Sequence, residues 1–371
     1  MKIKDMLYIL EDIAPLAYAE GFDNTGLLVG DSSKDLTNIL VTLDTLEEVV
    51  EEAIAKDCNL IVSFHPIVFS GLKKITGKTY VERVVQKAIK NDIAIFAIHT
   101  ALDNSWNGVN ATLCEKIGLK NRKVLIPKTE TIKKLLTFVP SESASEVREA
   151  LFLAGAGEIG NYSNCSFNIT GRGSFNGNED SNPVKGKRGE THFEEEIQIG
   201  ITFAKHLQSR ILNALFKSHP YEEVAYEITT LENTNQHIGM GMVGEFDAAL
   251  SEDTFLTHLK SAMKTGCVRH SPLLQKKIKK VAVLGGSGSF VIEAAKAAGA
   301  DAFVTADLKY HDFFKAEKSI LLTDIGHYES EQYTKDLLVS VLTKKISNFA
   351  PALTKSKVVL SQTNTNPISY F

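Results

Sequence analysis

The sequence predicts an α/β protein: a three-layer domain assembled from both ends of the chain and interrupted by an α+β insertion. Three observations predict it. Short β-rich apolar runs alternate with helical segments from Asn38 to about Asn110, and the same alternation returns from Lys280 onward. Between them, from about Lys128 to His237, the character changes to strand-like stretches with two helical segments. Alternation implies a mostly parallel sheet covered by helices, whereas segregated strands and helices imply α+β. The segments 1–127 and 238–371 therefore read as two halves of one α/β unit, with 128–237 inserted between them.

In chain order, Met1 to Leu10 reads as an amphipathic helix, because Asp5, Glu11 and Asp12 interrupt any apolar core and no small-residue cleavage site follows. Ile39 to Leu43 and Leu60 to Phe64 read as strands on either side of a helix over Leu46 to Lys56. A helix over Tyr80 to Lys90 leads into the run Ile93 to Ile98. In the insertion, Lys134 to Val139, Gln198 to Thr202 and Val224 to Thr229 are strand-like, with helices at Ser143 to Ala154 and Ala204 to Phe216. The stretch Gly171-Arg-Gly-Ser-Phe-Asn-Gly177 through Lys185-Gly-Lys-Arg-Gly189 is rich in Gly, Asn, Ser and charge, which predicts a mobile loop. Beyond it, strands at Lys280 to Leu284, Ala302 to Thr305 and Ile320 to Thr323 accompany a helix over Phe290 to Ala298. A long helix is expected from about Tyr328.

A chain of 371 residues with 43% hydrophobic and 23% charged residues exceeds one hydrophobic core. No apolar run of about 18 residues marks a membrane span, so no membrane partner is expected. The net charge of −4 gives no global field that would draw nucleic acid, and direct nucleic-acid binding is not expected. Cys58, Cys114, Cys165 and Cys267 are widely spaced without a CxxC pair, as for reduced thiols in the cytoplasm.

In an open α/β sheet, ligands bind beyond the carboxyl ends of strands. Four residues stand there. His65 follows Leu60 to Phe64 and is restrained by Pro66. Asp103 lies five residues past Ile98, and His327 follows the run Ile320 to Asp324 through Gly326. Glu331 comes four residues after His327, on the same face of a helix, so both could grip one ion. Two imidazoles with two carboxylates suit Zn, Mn, Fe or Co better than Ca, which prefers an all-oxygen shell. The plainer alternatives are a hydrogen-bonding histidine after a strand and a solvated i,i+4 pair. Gly285-Gly-Ser-Gly-Ser289 reads as a phosphate-cradling turn or, more simply, a tight strand-to-helix turn. Asp307, Lys309, Tyr310 and His311 form a polar group at another strand end, and Asp307, Lys309 and His311 are candidate substrate contacts.

Several segments together resemble one family. They are Phe22-Asp-Asn-Thr-Gly26, Ile61-Val-Ser-Phe-His-Pro66, His99-Thr-Ala-Leu-Asp103, Val281 to Gly288, Ala306-Asp-Leu-Lys-Tyr-His-Asp312 and Gly326-His-Tyr-Glu-Ser-Glu331. The match, nearly end to end, is to the GTP cyclohydrolase I type 2 homologues, also called NGG-interacting-factor-three-like proteins. The resemblance implies one or two divalent ions on His65, Asp103, His327 and Glu331, with Glu331 bridging. It also implies a ring-shaped homo-hexamer. The insertion, with His219-Pro-Tyr-Glu-Glu223, looks like the ferredoxin-like CutA-type domain of longer members, which associates as trimers. One departure matters: the usual motif has two histidines before the proline, and here Phe64 precedes His65. Phenylalanine offers no ligand, so a firm ion is expected at His65, His327 and Glu331 and a weaker one near Asp103 and Glu331. The implied function is a metal-dependent hydrolase acting on a nucleotide-like small molecule. The alternative is a non-enzymatic metal-handling or regulatory scaffold.

Overall fold

The computed structural model describes residues 1–349 and 356–370. The first half of the chain forms strands Gly26–Val29 (β1), Asn38–Thr42 (β2), Cys58–Ser63 (β3), Ala94–Ala97 (β4) and Lys120–Pro127 (β5). The middle forms Ile132–Pro140 (β6), Phe167–Asn176 (β7), Thr191–Ala204 (β8) and Tyr226–Leu231 (β9). The last part forms Gly239–Ser251 (β10), Arg269–His270 (β11), Lys277–Ser287 (β12), Ala302–Ala306 (β13), Leu321–Asp324 (β14) and Val358–Leu360 (β15). The chain divides into two compact units: Met1–Pro127 with Gln236–Phe371, and Lys128–Asn235.

The first unit holds two sheets. One has the order β1-β4-β3-β2-β15 and the other β11-β14-β13-β12-β10-β5. The alternating β/α stretches supply the parallel centres, β15-β2-β3-β4 and β12-β13-β14. Antiparallel strands flank them: β1 on the first, β10, β5 and β11 on the second. Both centres are buried on both faces, because successive side chains of a strand point to opposite sides. Ile39, Val41, Leu60 and Val62 join one core with Ile3, Met6 and Leu10 of the helix Ile3–Ile13. Their neighbours Leu40 and Ile61 join another with Val84 and Val85 of the helix Tyr80–Lys90. In the second sheet Val281, Val283 and Val304 face one cluster while Ala282, Leu284 and Phe303 face another.

Two helices differ from expectation near the strand ends. A 3-10 turn at Ser289–Val291 precedes a short helix, Ile292–Ala297. The helix expected from Tyr328 is broken into His327–Glu331 and Thr334–Phe349, which leaves His327 and Glu331 on a single turn of their own. Among the described residues no helix is long and apolar enough to cross a membrane.

The second unit is an antiparallel sheet in the order β7-β8-β6-β9. Helices Ala144–Leu153 and Gln208–Ser218 cover one face, packing Val147, Leu151, Ile211 and Leu215 on Leu135, Val139, Ile199 and Ile201. The glycine-rich stretch expected to be a mobile loop begins inside β7, which pairs with β8 without a break from Phe167↔Gly200 to Asn176↔Thr191. Gly173 answers a packing demand. A Cβ at Gly173 would stand 2.1 Å from Glu196 Oε2 on the neighbouring strand.

Candidate metal centre

His65 and His327 reach one point from the carboxyl ends of the two parallel centres. After β3 the chain is held by backbone bonds: His65 N donates to Leu43 O at 2.9 Å, and Ser63 Oγ donates to His65 O at 2.8 Å. Phe64, 0% exposed, packs into the core with its ring 4.9 Å from that of His65 and 5.5 Å from that of His99. After β14 the chain turns through Gly326 at φ 91°, a conformation suited to glycine, and starts the short helix that carries His327 and, one turn later, Glu331.

The donor atoms of His65, His327 and Glu331 lie within 4.8 Å of one another. His65 Nε2 is 3.1 Å and His327 Nε2 3.2 Å from Glu331 Oε2. That oxygen is buried and has no hydrogen-bond partner. The far nitrogen of each ring is occupied: His65 Nδ1 lies 2.8 Å from Asp44 Oδ1, and His327 Nδ1 lies 2.6 Å from Asp307 Oδ2. A carboxylate at Nδ1 holds the proton there and turns the Nε2 lone pair inward, the arrangement that surrounds metal-binding histidines.

Electrostatics favours positive charge at this point. Burial opposes protonation of His65, but Glu331 and Asp44 outweigh it and push the pKa up to about 10. Burial acts likewise on His327, where Asp307 and Glu331 push it up to about 11. Burial would raise Glu331, yet the two imidazoles hold it down to about 2. A divalent cation satisfies the same demand as the protons. The donor set and the orphaned Glu331 oxygen therefore fit such an ion.

Room for Glu331 comes from the glycines of β12. A Cβ at Gly286, whose φ is +67°, would stand 2.5 Å from Glu331 Oε1, and one at Gly285 would stand 2.9 Å from Val109 Cγ1. Their amides are spent locally, Gly285 N on Asn110 Oδ1 at 3.1 Å and Gly286 N on Ser330 Oγ at 2.9 Å. The segment Gly285 to Ser289 therefore cradles a glutamate and offers neither of these amides to a phosphate. The strand runs on to Ser287 and a 3-10 turn begins at Ser289, so the tight strand-to-helix turn falls at Gly288.

Asp103 stands apart from the converging three. It closes the helix His99–Asp103, its Oδ1 is buried without a partner, and burial, then the charge of Glu331, push its pKa well above the usual carboxylate range. Of the candidate substrate contacts, Asp307 instead orients His327. Lys309 caps the turn Tyr310–Ala316, its backbone N donating to Asp312 Oδ2 at 3.0 Å, and His311 stacks among Tyr310 and Phe314. His99 Nδ1 lies 2.9 Å from Asp23 Oδ1 with its ring 5.2 Å from that of His65, so it packs beside the site, and Asn24 Nδ2 donates to Val68 O at 2.5 Å. Sequence reasoning left Asp44 unassigned and passed over Thr365, whose hydroxyl donates to Asp44 Oδ2 at 2.7 Å. Asp44 follows the strand β2 as His65 follows β3, a signal that could have found it.

The family model described as Duf34/NIF3 (NGG1p interacting factor 3) matches residues 1–367. A GTP cyclohydrolase 1 type 2 homolog of Bacillus subtilis is 38% identical over 369 residues, 99% of this chain and 98% of the relative. A homolog of the same name from Halalkalibacterium halodurans is 37% identical over 370 residues, 98% of each chain. Among solved structures, a Bacillus cereus protein related to NIF3 superposes with a TM-score of 0.84 at 36% identity, covering 100% of this chain and 99% of that one. A Staphylococcus aureus protein superposes with a TM-score of 0.76 at 30% identity, with the same coverage.

Proposed function

This chain belongs to the Duf34/NIF3 family, and from that premise we infer that it binds a divalent metal through His65, His327 and Glu331 and acts as a metal-dependent hydrolase on a nucleotide-like substrate. The observation that carries the reading is the buried Glu331 Oε2, which faces two imidazole nitrogens at 3.1 Å and 3.2 Å and has no other polar partner among the described residues. Zn, Mn, Fe and Co suit this donor set. When bound, such an ion supplies Lewis acidity toward the electrophile and toward water.

The chain's own groups do the rest. Asp44 and Asp307 keep the imidazoles in one tautomer, and Glu331, held ionised, contributes the negative charge. Asp103, in a buried setting that favours its protonated form, holds a proton beside the site, which a second, more weakly held ion between Asp103 and Glu331 would have to displace. Lys309, exposed beyond β13, is the group available to phosphate charge. The test is formate or phosphate release from GTP and related nucleotides by protein stripped of metal and reloaded with Zn, Mn, Fe or Co. Turnover that appears only on reloading supports the hydrolase. Metal binding with no turnover favours the second reading, a metal-handling scaffold, to which the replacement of a donor by the buried Phe64 already points.

The proposal extends to a cytoplasmic homo-hexamer, with residues 128–237 a CutA-like, ferredoxin-like domain making trimer contacts. Its support is the outer strand β9 of the four-stranded sheet, where exposed Tyr226 meets exposed Phe216 edge-on at 5.4 Å between centroids. Native mass spectrometry measures the stoichiometry directly.

A further inference from the structure

Two sequence features without a role in the metal centre meet in the second unit. The glycine-rich segment from Gly171 to Gly177 and Tyr221, Glu222 and Glu223 of the motif His219-Pro-Tyr-Glu-Glu223 line a hollow of about 750 Å3 on the sheet face opposite the helices. Small-molecule sites occupy roughly 300–1,000 Å3. The floor is set by strand register, since Phe138 and Ile169 are the cross-strand partners of Gln198 on either side. Phe175 and Val184 add apolar wall.

Glu196, on the same face as Gln198, lies opposite Pro140 and Gly171 and is only 9% exposed. Its Oε1 accepts from the Tyr221 hydroxyl at 3.0 Å. Gly173 leaves its Oε2 in place, because any Cβ there would collide with it at 2.1 Å. Among the described residues no cation pairs with this carboxylate. The nearby cations are committed elsewhere: Arg172 lies over the Phe193 ring at 4.7 Å, and Lys185 pairs with Glu142 at 2.6 Å. His219 is fixed as a neutral spacer, its Nε2 3.0 Å from Phe138 O and its Nδ1 accepting from Tyr221 N at 3.1 Å. Burial lowers its pKa. Glu222 and Glu223 add two more carboxylates to the lining. A carboxylate taken out of water is costly unless a cation and hydrogen bonds meet it, and here only a tyrosine does.

We propose that this hollow binds a small organic cation, an ammonium group on an apolar body, with the charge on Glu196 and the body against Phe138 and Phe175. An aromatic ring beside a carboxylate suits such a ligand through both ion pairing and cation–π attraction.

The experiment is ligand-observed NMR and calorimetry on the full-length protein with phenethylamine, agmatine and 1,4-diaminobutane, against phenylacetate and phenethyl alcohol as matched controls. The expected result is saturable binding of at least one amine, preferred at least about tenfold over its neutral match, and weakened at least about tenfold in Glu196→Gln. Metal content of that variant should equal wild type. Should Glu196→Gln not fold, Tyr221→Phe serves instead and should weaken the amine several-fold. The proposal is overturned if no amine saturates, if the neutral and anionic probes bind as well, or if neither variant changes amine affinity. Amine binding that appears only when protomers dissociate also overturns it, by making the hollow a contact between copies of this chain.

Discussion

Thr365 and Asp44, 321 positions apart, are joined by a 2.7 Å hydrogen bond, and Asp44 in turn holds His65 at 2.8 Å. The last residues of the chain thus brace a candidate metal ligand that lies near its beginning. Asn366 Nδ2 adds a second contact, donating to Glu329 Oε1 at 3.2 Å on the helix of His327 and Glu331.

Asp44→Asn removes the carboxylate charge that holds the proton on His65 Nδ1. Metal affinity should fall by about 10–100-fold in chelator competition, the usual effect of losing a carboxylate behind a metal-bound histidine. Thr365→Ala should give a smaller loss in the same direction, and Thr365→Ser, which keeps the hydroxyl, should restore it. An affinity unchanged in Asp44→Asn would show that His65 needs no orienting partner.

Gly286→Ala places a methyl group 2.5 Å from Glu331 Oε1 on a backbone at φ +67°. Left-handed geometry alone costs an L-residue roughly 1–2 kcal/mol, and Glu331 must also shift. Chemical denaturation should register a loss of about 1–3 kcal/mol, with metal content falling alongside it. Serine at 286 should behave like alanine, because the obstacle is the Cβ.

Glu52 ties down the strand β15 from the helix Glu47–Ala55. Its carboxylate accepts from Ser361 Oγ at 2.6 Å, Gln362 N at 2.9 Å and Thr363 Oγ1 at 2.9 Å. Burial would raise its pKa, but Lys56 and these donors hold it down to about 2, below the ordinary 4.5. A lowered folded-state pKa means that the stabilisation is complete above the ordinary value and fades as pH falls from 4.5 toward about 2. Hydrogen-exchange protection of residues 358–366, relative to the intrinsic rate at each pH, should fall across that window in wild type. In Glu52→Gln it should already be low at neutral pH, with a stability loss of roughly 1–3 kcal/mol.

Phe64→His tests the second ion position. An imidazole in a fully buried aromatic site should cost about 2–4 kcal/mol. It also supplies the nitrogen missing from the histidine pair before Pro66, so metal per chain should rise, and Asp103→Asn in that background should cancel the rise. A ratio unchanged by Phe64→His would place the second position away from residue 64.

Much of this architecture was legible because the parallel strands are near-continuous apolar runs, and because His65 and His327 follow such runs directly. Glu331 was reachable through its i,i+4 spacing from His327. Other elements hide their pattern. The 13-residue β10 contains Gly239, Gly241 and Gly244, and β7 contains Gly171 and Gly173, so both carry loop-like composition. In β7 the glycine is required by Glu196 across the sheet, a tertiary cause that no local window contains. The same holds for Gly286, whose phosphate-loop look conceals a seat for Glu331, and for Asp44, whose role depends on where Thr365 ends up.

The most direct measurement is metal content by elemental mass spectrometry on protein purified without chelator or nickel affinity resin, for wild type and for Glu331→Ala. Near-stoichiometric divalent metal in wild type, falling sharply in a Glu331→Ala protein of unchanged circular dichroism, is the expected result. An equal content in both, or none in either with the fold retained, would contradict a metal centre at His65, His327 and Glu331.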